Sequence, residues 1–320
     1  MNNESSSNSN SNLDSQALLN QLVIDYLKEK KRKRRWKWII RAFILVVLIY
    51  SSYKIVSVAK TTEASKDKEH IGLIDINGEI ADSSSASADN FTKGIEKAYK
   101  SKGLKALIVR INSPGGSPVQ AEYIYNVLQY YKSIKPNIKT YAVCVDMCAS
   151  AAYYVAVGAD EIYASPASMV GSIGVLYNGF GFVDAMQKLG ISRRLQTSGV
   201  NKAFLDPFSP TTEFQKEKLQ TMLDIVHKQF ITRVKEGRGN RLKINEETFS
   251  GLFWTGQQAL ANGLIDGYAS SGQLAREVIK ITDMVDYTYK QNVFDRLTKN
   301  LGTAMADELP VILGMKPGLR

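Results

Sequence analysis

Between Ile71 and Ser165, short runs rich in β-branched residues alternate with longer stretches of helical periodicity, and no other feature restricts the possible folds so far. The order is "IGLIDINGEI", "FTKGIEKAYKS", "LKALIVRI", "VQAEYIYNVLQYYKSI", "KTYAVCV", "SAAYYVAVGA" and "DEIYAS". Strands separated by helices need right-handed crossovers, which leave neighbouring strands parallel. The expectation is an α/β domain with a largely parallel sheet over residues 71–285. A chain of 320 residues that is 44% hydrophobic has enough apolar material for its core. Further on, "SPTTEFQKEKLQTMLDIVHKQFITRVKEGRG" predicts a long amphipathic helix, capped by Ser209 or Thr212 and ended by glycines. Leu219, Met222, Leu223, Val226 and Phe230 form its apolar positions.

The charge is unevenly spread. Lys28–Lys37 ("KEKKRKRRWK") holds eight Lys/Arg and one Glu, which accounts for +7 of a formal net charge of +10. This block runs directly into "WIIRAFILVVLIYSSYKIVSVA", residues 38–59. A spanning helix needs roughly 20 apolar residues, a length reached here if Arg41 and Lys54 extend to opposite interfaces. The cationic flank and the edge Trp/Tyr residues favour an uncleaved membrane anchor over a buried core helix. Lys54 and the long stretch before the segment disfavour a cleaved signal peptide. The positive-inside rule then predicts a cytoplasmic N-terminus and translocation of everything beyond Lys60. The polar, low-complexity "MNNESSSNSNSN" with the basic block gives a disordered cytoplasmic segment over 1–37. Residues 60–70 read as a hydrated linker, with His70 at its end, and 286–320 as a separate tail.

Several function classes are set aside on the same grounds. The basic block abuts an apolar segment, so it is assigned to topology and not to nucleic acid. "NSPGGSP" lacks the Gly-Lys-Ser/Thr of a nucleotide P-loop. Two cysteines, Cys144 and Cys148, and two histidines, His70 and His227, supply neither a disulfide framework nor a four-ligand zinc site. Both cysteines sit in apolar surroundings, which predicts packing; Cys148 as a nucleophile is the alternative.

Two short stretches carry potential chemistry. "RINSPGGSP" (Arg110–Pro118) follows an apolar strand, and its adjacent glycines let the backbone turn with N–H groups exposed. "VDMCASAAYYVA" (Val145–Ala156) places Ser150 where a strand-like run gives way to a helical one. A serine there is often only a cap. It is also well placed as a nucleophile beside N–H groups that stabilise an oxyanion.

The succession "NSPGG", "ASAAYY" and "SPASMVGSIGV", with "GLFWTGQQALANGLIDGYAS" downstream, resembles the signal peptide peptidase A family, serine peptidase family S49, in its short single-domain form. The resemblance runs from about Ile71 to about Ile281. It implies a Clp protease/crotonase-like domain of ββα repeats, preceded by one transmembrane helix. It further implies Ser150 as nucleophile, Lys202 in "SGVNKAFLDPFSP" as general base, and an oxyanion hole from the N–H of Ala151 with that of Gly115 or Gly116. Lysine acts as a base only when neutral, a form that desolvation favours. No metal or organic cofactor is implied.

On this resemblance the chain is a membrane-anchored endopeptidase of a bacterial inner membrane, with a periplasmic catalytic domain and cleaved signal peptides as its substrates. The resemblance also implies a ring-like homo-oligomer, with two alternatives for Lys202: action within its own chain or supply by a neighbouring subunit. The sequence departs from the family after the nucleophile: Ala151 and Ala152 stand where glycines are usual, and each methyl is expected to narrow the site. A catalytically silent peptide-binding module, a crotonase-type acyl-coenzyme A enzyme and a Ser-His-Asp triad are the alternatives.

Overall fold

The computed structural model describes residues 30–32, 35–51, 53–54 and 68–290. The chain divides into two units, Met1–Ala64 and Ser65–Arg320. In the first, residues 35–51 and 53–54 are helical and exposed, so the described part of the expected anchor is helical. Among the described residues no helix is long and apolar enough to cross a membrane. The rest of the anchor, most of the expected disordered segment and linker, and the tail beyond residue 290 lie outside the described residues.

The second unit is built on one sheet. Its strands are β1 (His70–Asn77), β2 (Leu104–Ser113), β3 (Lys139–Ala149), β4 (Glu161–Ala164), β5 (Met169–Gly171), β6 (Phe253–Thr255), β7 (Gly267–Tyr268) and β8 (Met284–Asp286). They run in the order β6-β5-β3-β2-β1-β8, with β4 joining β3 to β7. Every pair is parallel except β5 with β6. β2 is apolar and buried from Ala106 to Val109 and again at Ile111, as the centre of a parallel strand covered on both faces must be.

Helices α1 (Ala88–Tyr99) and α2 (Pro118–Ile134) make the first crossovers, and the short α3 (Ala151–Ala156) follows β3. α1 and α2 start at Ser87 and Ser117, whose side chains accept from backbone N–H groups of the first turn. Apolar faces of α1, α2 and α3 meet Ile74, Leu107, Val109 and Ala142 of the sheet in the main core. The small α4 (Val183–Lys188) precedes the long α5 (Glu213–Arg238), and α6 (Gly256–Ala261) and α7 (Ser271–Gln273) complete the unit.

Of the two caps left open by the sequence, Thr212 starts α5, in a reciprocal capping box with Gln215. Only the last part of α5 is in the core. Phe230, Val234 and Arg238 are buried, whereas Met222 and the neighbouring Phe214 and Ile225 are exposed. Arg238 donates to Gly263 O at 2.8 Å and to both oxygens of Asp266 at 2.8 and 2.9 Å. Asp266 in turn accepts from the N–H of Ile162 at 2.7 Å, so the end of α5 is fastened to the start of β4.

His70 is not a linker residue. It opens β1 fully buried, with Nδ1 2.7 Å from Lys68 O and Nε2 2.9 Å from the hydroxyl of Tyr287. The carbonyl can only accept, so Nδ1 carries the proton and Nε2 accepts from Tyr287. Tyr287 is itself buried, so the folded unit extends slightly beyond both expected limits.

Candidate active site

Adjacency of β2 and β3 brings the two chemical stretches together. In their parallel register Ser113 stands opposite Cys148, so the chain leaves both strands at the same end of the sheet. From β2 it enters Pro114-Gly115-Gly116, and from β3 it enters Ser150. A β-carbon on Gly115 would lie 2.8 Å from Ser150 Cβ and 3.2 Å from the Ala151 nitrogen, which is how closely that loop covers the turn.

Ser150 has φ 54° and ψ −124°. Positive φ is unfavourable for a residue with a side chain, and such strain is found mainly where the surrounding structure enforces it. Here the enforcement is visible. The N–H of Ser150 donates to Gly171 O at 2.8 Å, and its carbonyl accepts from Tyr154 at 3.0 Å. The hydroxyl does not cap α3, which removes the structural role most often assigned to a serine at a helix start. A strained serine between strand and helix is the geometry of a nucleophile elbow.

Two backbone N–H groups stand beside it. Gly116 is bridged to Ile80 in parallel fashion through Ile80 N to Gly115 O and Ser117 N to Ile80 O, each 2.8 Å. That pattern uses the neighbours' groups, so the N–H of Gly116 faces away from Ile80. Among the described residues no acceptor takes the N–H of Gly116 or of Ala151. Gly115, the other glycine left open, donates to Ser113 Oγ at 3.2 Å. Of these three groups, only the N–H of Gly116 and of Ala151 are left without an acceptor among the described residues. The tightness behind Gly116 is severe: a β-carbon there would lie 2.2 Å from Ile80 O.

These groups open into a cleft of about 900 Å³ walled by Gly116, Val119, Ser150, Ala151, Leu176 and Phe230, among others. Ala152 is not among the walls. It is fully buried in the core, so of the two methyl groups expected to narrow the site only that of Ala151 borders it. Glu122 and Tyr154 also line the cleft. The Tyr154 hydroxyl donates to Glu122 Oε2, and Arg233 of α5 reaches Glu122 Oε1 at 2.7 Å. Desolvation pushes the Glu122 carboxyl up, but the hydrogen bonds from Arg233 and Tyr154 prevail and hold it below the usual carboxylate range.

His227 is distant from Ser150 in sequence, yet α5 carries it into the same cleft, with Nε2 3.0 Å from Ile173 O. Its mid-helix position gave no local signal; only the fold of α5 over the sheet reveals it. Tyr154 was legible in principle, four residues beyond Ser150 on the same helical face. Lys202 stands elsewhere. It is exposed within a single chain, in a turn closed by its own N–H to Gly199 O at 3.1 Å, and it is not a wall of the cleft. Cys148 is fully buried, and burial together with Cys144 pushes its thiol well above the ordinary value, the opposite of what a thiolate nucleophile needs.

A mostly parallel sheet, an elbow serine at the end of its third strand and a glycine loop over that serine define a Clp-protease-like α/β protein. The Clp protease family model matches residues 70–170, and that of Peptidase family S49 matches 132–284. A Synechocystis chain assigned as a protease is 32% identical over 62% of this chain and 69% of its own length. An Enterococcus faecium chain assigned as the signal peptide peptidase SppA is 27% identical over 81% of this chain and 78% of its own. The chain belongs to peptidase family S49. A Brucella abortus protein named Na(+)/H(+) antiporter NhaA is 42% identical over 58% of this chain but only 25% of its own length. With its Brucella melitensis counterpart, matched over 24%, it is a relative of which this chain spans about a quarter.

Proposed function

We propose that this chain is a membrane-anchored serine endopeptidase that degrades peptides, cleaved signal peptides among them, at the outer face of a bacterial inner membrane. The observation that carries the reading is Ser150, held at positive φ between the free N–H groups of Ala151 and Gly116 at the head of a peptide-sized cleft. Ser150 Oγ attacks the scissile carbonyl as Lys202 takes its proton. The oxyanion is received by Ala151 and Gly116, and the acyl-enzyme forms as Lys202 returns the proton to the leaving amine. Water activated by the same lysine then releases the acyl group.

Lys202 reaches a serine in this reading by association of copies. Support comes from its exposure in one chain and from exposed apolar side chains on the stretch of chain that leads to it: Phe180, Leu189 and Val200 are 75%, 73% and 101% exposed. So much exposed apolar side chain is characteristic of an interaction surface. A ring of copies covers it and carries each Lys202 towards a neighbour's Ser150. The basic block before residues 38–59 supports the N-in orientation, and a translocated domain would not meet an acyl-coenzyme A substrate.

A second reading, with His227 as the base, is favoured by its place in the Ser150 cleft. The test for both is reaction of the purified protein with a fluorophosphonate, followed by peptide mass spectrometry. An adduct on Ser150 is expected; an adduct on Cys148, or none, sinks the nucleophile assignment and leaves the silent peptide-binding module.

A further inference from the structure

We infer that His227 is a positioning residue: through its Nε2–H it fixes the backbone segment Gly171–Val175 on which an extended peptide is aligned for attack by Ser150. This rests on the nucleophile reading above. The segment leaves β5 with Ser172 at φ 51°, a conformation that needs external support. Three hydrogen bonds provide it. Gly171 O accepts from Ser150 N at 2.8 Å, Ser172 N donates to Leu252 O at 2.9 Å, and Ile173 O accepts from His227 Nε2 at 3.0 Å. The third is the only one of these from a side chain. A carbonyl oxygen has no proton to give, so the proton of that contact is on His227 Nε2.

Beyond the third bond the chain runs along the cleft as Gly174, Val175 and Leu176. Among the described residues no backbone acceptor takes the N–H of Val175 or Leu176. A stretch of cleft wall with open backbone groups is what an extended peptide pairs with when it adds as a strand. Its place relative to Ser150 is set at one end by the Gly171 contact and at the other by His227. Removing the histidine donor leaves the fully buried Ile173 with an unsatisfied carbonyl and frees the far end of the segment.

Side-chain replacement separates this role from proton transfer. Glutamine puts an N–H where histidine has Nε2, asparagine puts one only where histidine has Nδ1, and neither can accept a proton as a base. The experiment measures, for His227→Phe, His227→Asn and His227→Gln, steady-state hydrolysis of an extended fluorogenic peptide beside the rate of fluorophosphonate labelling of Ser150. The expected result is at least about a tenfold fall in kcat/KM on the peptide for Phe and Asn, carried mainly by KM. His227→Gln is expected within about threefold of the native chain, and labelling rates within about threefold for all three, because the small probe does not reach the segment.

Equal loss of labelling and peptide hydrolysis in all three variants overturns the proposal in favour of His227 as the base. Full peptide activity in His227→Phe overturns it as well. Should His227→Phe not fold, a low-activity but folded His227→Gln is decisive against it. If the native chain is never labelled on Ser150, the nucleophile reading has failed, and the positioning role fails with it.

Discussion

Gly171 and Ser150 are joined by a 2.8 Å hydrogen bond from the serine N–H to the glycine carbonyl, so the end of β5 holds the turn at the end of β3 in its strained form. The strain and the restraint arise from the same neighbouring strands, since Cys148 and Ala149 pair with Val170 and Gly171. Glycine at 150 would occupy φ 54° without a side-chain penalty. Ser150→Gly is therefore expected to abolish peptide hydrolysis while stabilising the fold by about 1 kcal/mol. Calorimetry checks this. A lower Tm than that of Ser150→Ala would mean that the turn is not strained in solution.

Gly116 tolerates no such exchange. A β-carbon would press on Ile80 O, and the loop must then move away from Ser150. Gly116→Ala is expected to lower kcat by about two orders of magnitude, the loss typical for one oxyanion donor. It is also expected to slow fluorophosphonate labelling. An unchanged kcat would show that the Gly116 N–H is not part of the site.

How far the site was legible depends on how its parts are encoded. Ser150 and the glycine pair lie in contiguous stretches at strand ends, and alternating strands and helices predict that parallel strand ends share one edge. Telling the free N–H of Gly116 from the bonded one of Gly115 needed the pairing of Ile80, which joins a residue after β1 to the loop after β2 and leaves no mark in either stretch. His227 depends on where α5 lies, and α5 is placed by the buried Arg238–Asp266 pair at its far end. His70 was misread as linker because a lone histidine before an apolar strand looks solvated. Its partner Tyr287 lies 217 residues away, next to β8.

The Arg238–Asp266 contact makes a pH prediction. Desolvation raises the Asp266 carboxyl, but hydrogen bonds from Arg238 and the Ile162 N–H, with the charges of Arg238 and Arg241, prevail and hold it net below its ordinary value. A carboxyl depressed in the folded state stabilises fully above its unfolded pKa of about 3.9, and that stabilisation is lost as the pH falls through the lower folded value. Asp266→Asn leaves Arg238 buried without a counter-charge and is expected to cost on the order of 3 kcal/mol at neutral pH. The Tm difference between native chain and variant, roughly 6–12 °C there, is expected to shrink below about pH 4. A difference constant down to pH 2 would remove the ion pair as its cause.

Lys202 gives the prediction that joins chemistry to assembly. Exposed in one chain and outside the cleft, it serves as base only if association brings it to a serine and removes water from it. Arginine preserves the charge but does not give up its proton in a protein. Lys202→Arg is thus expected to be as inactive as Lys202→Ala, with peptide binding retained. If the serine and lysine of one site come from different copies, co-assembled Ser150→Ala and Lys202→Ala chains regain part of the native activity, because some sites receive an intact residue from each. Neither variant alone does so. Replacing Phe180 and Leu189 by serine is expected to weaken association and activity together, read by analytical ultracentrifugation and peptide hydrolysis at one concentration. Native turnover in Lys202→Arg would assign that residue an electrostatic role and make His227, in the same cleft as Ser150, the next base to test.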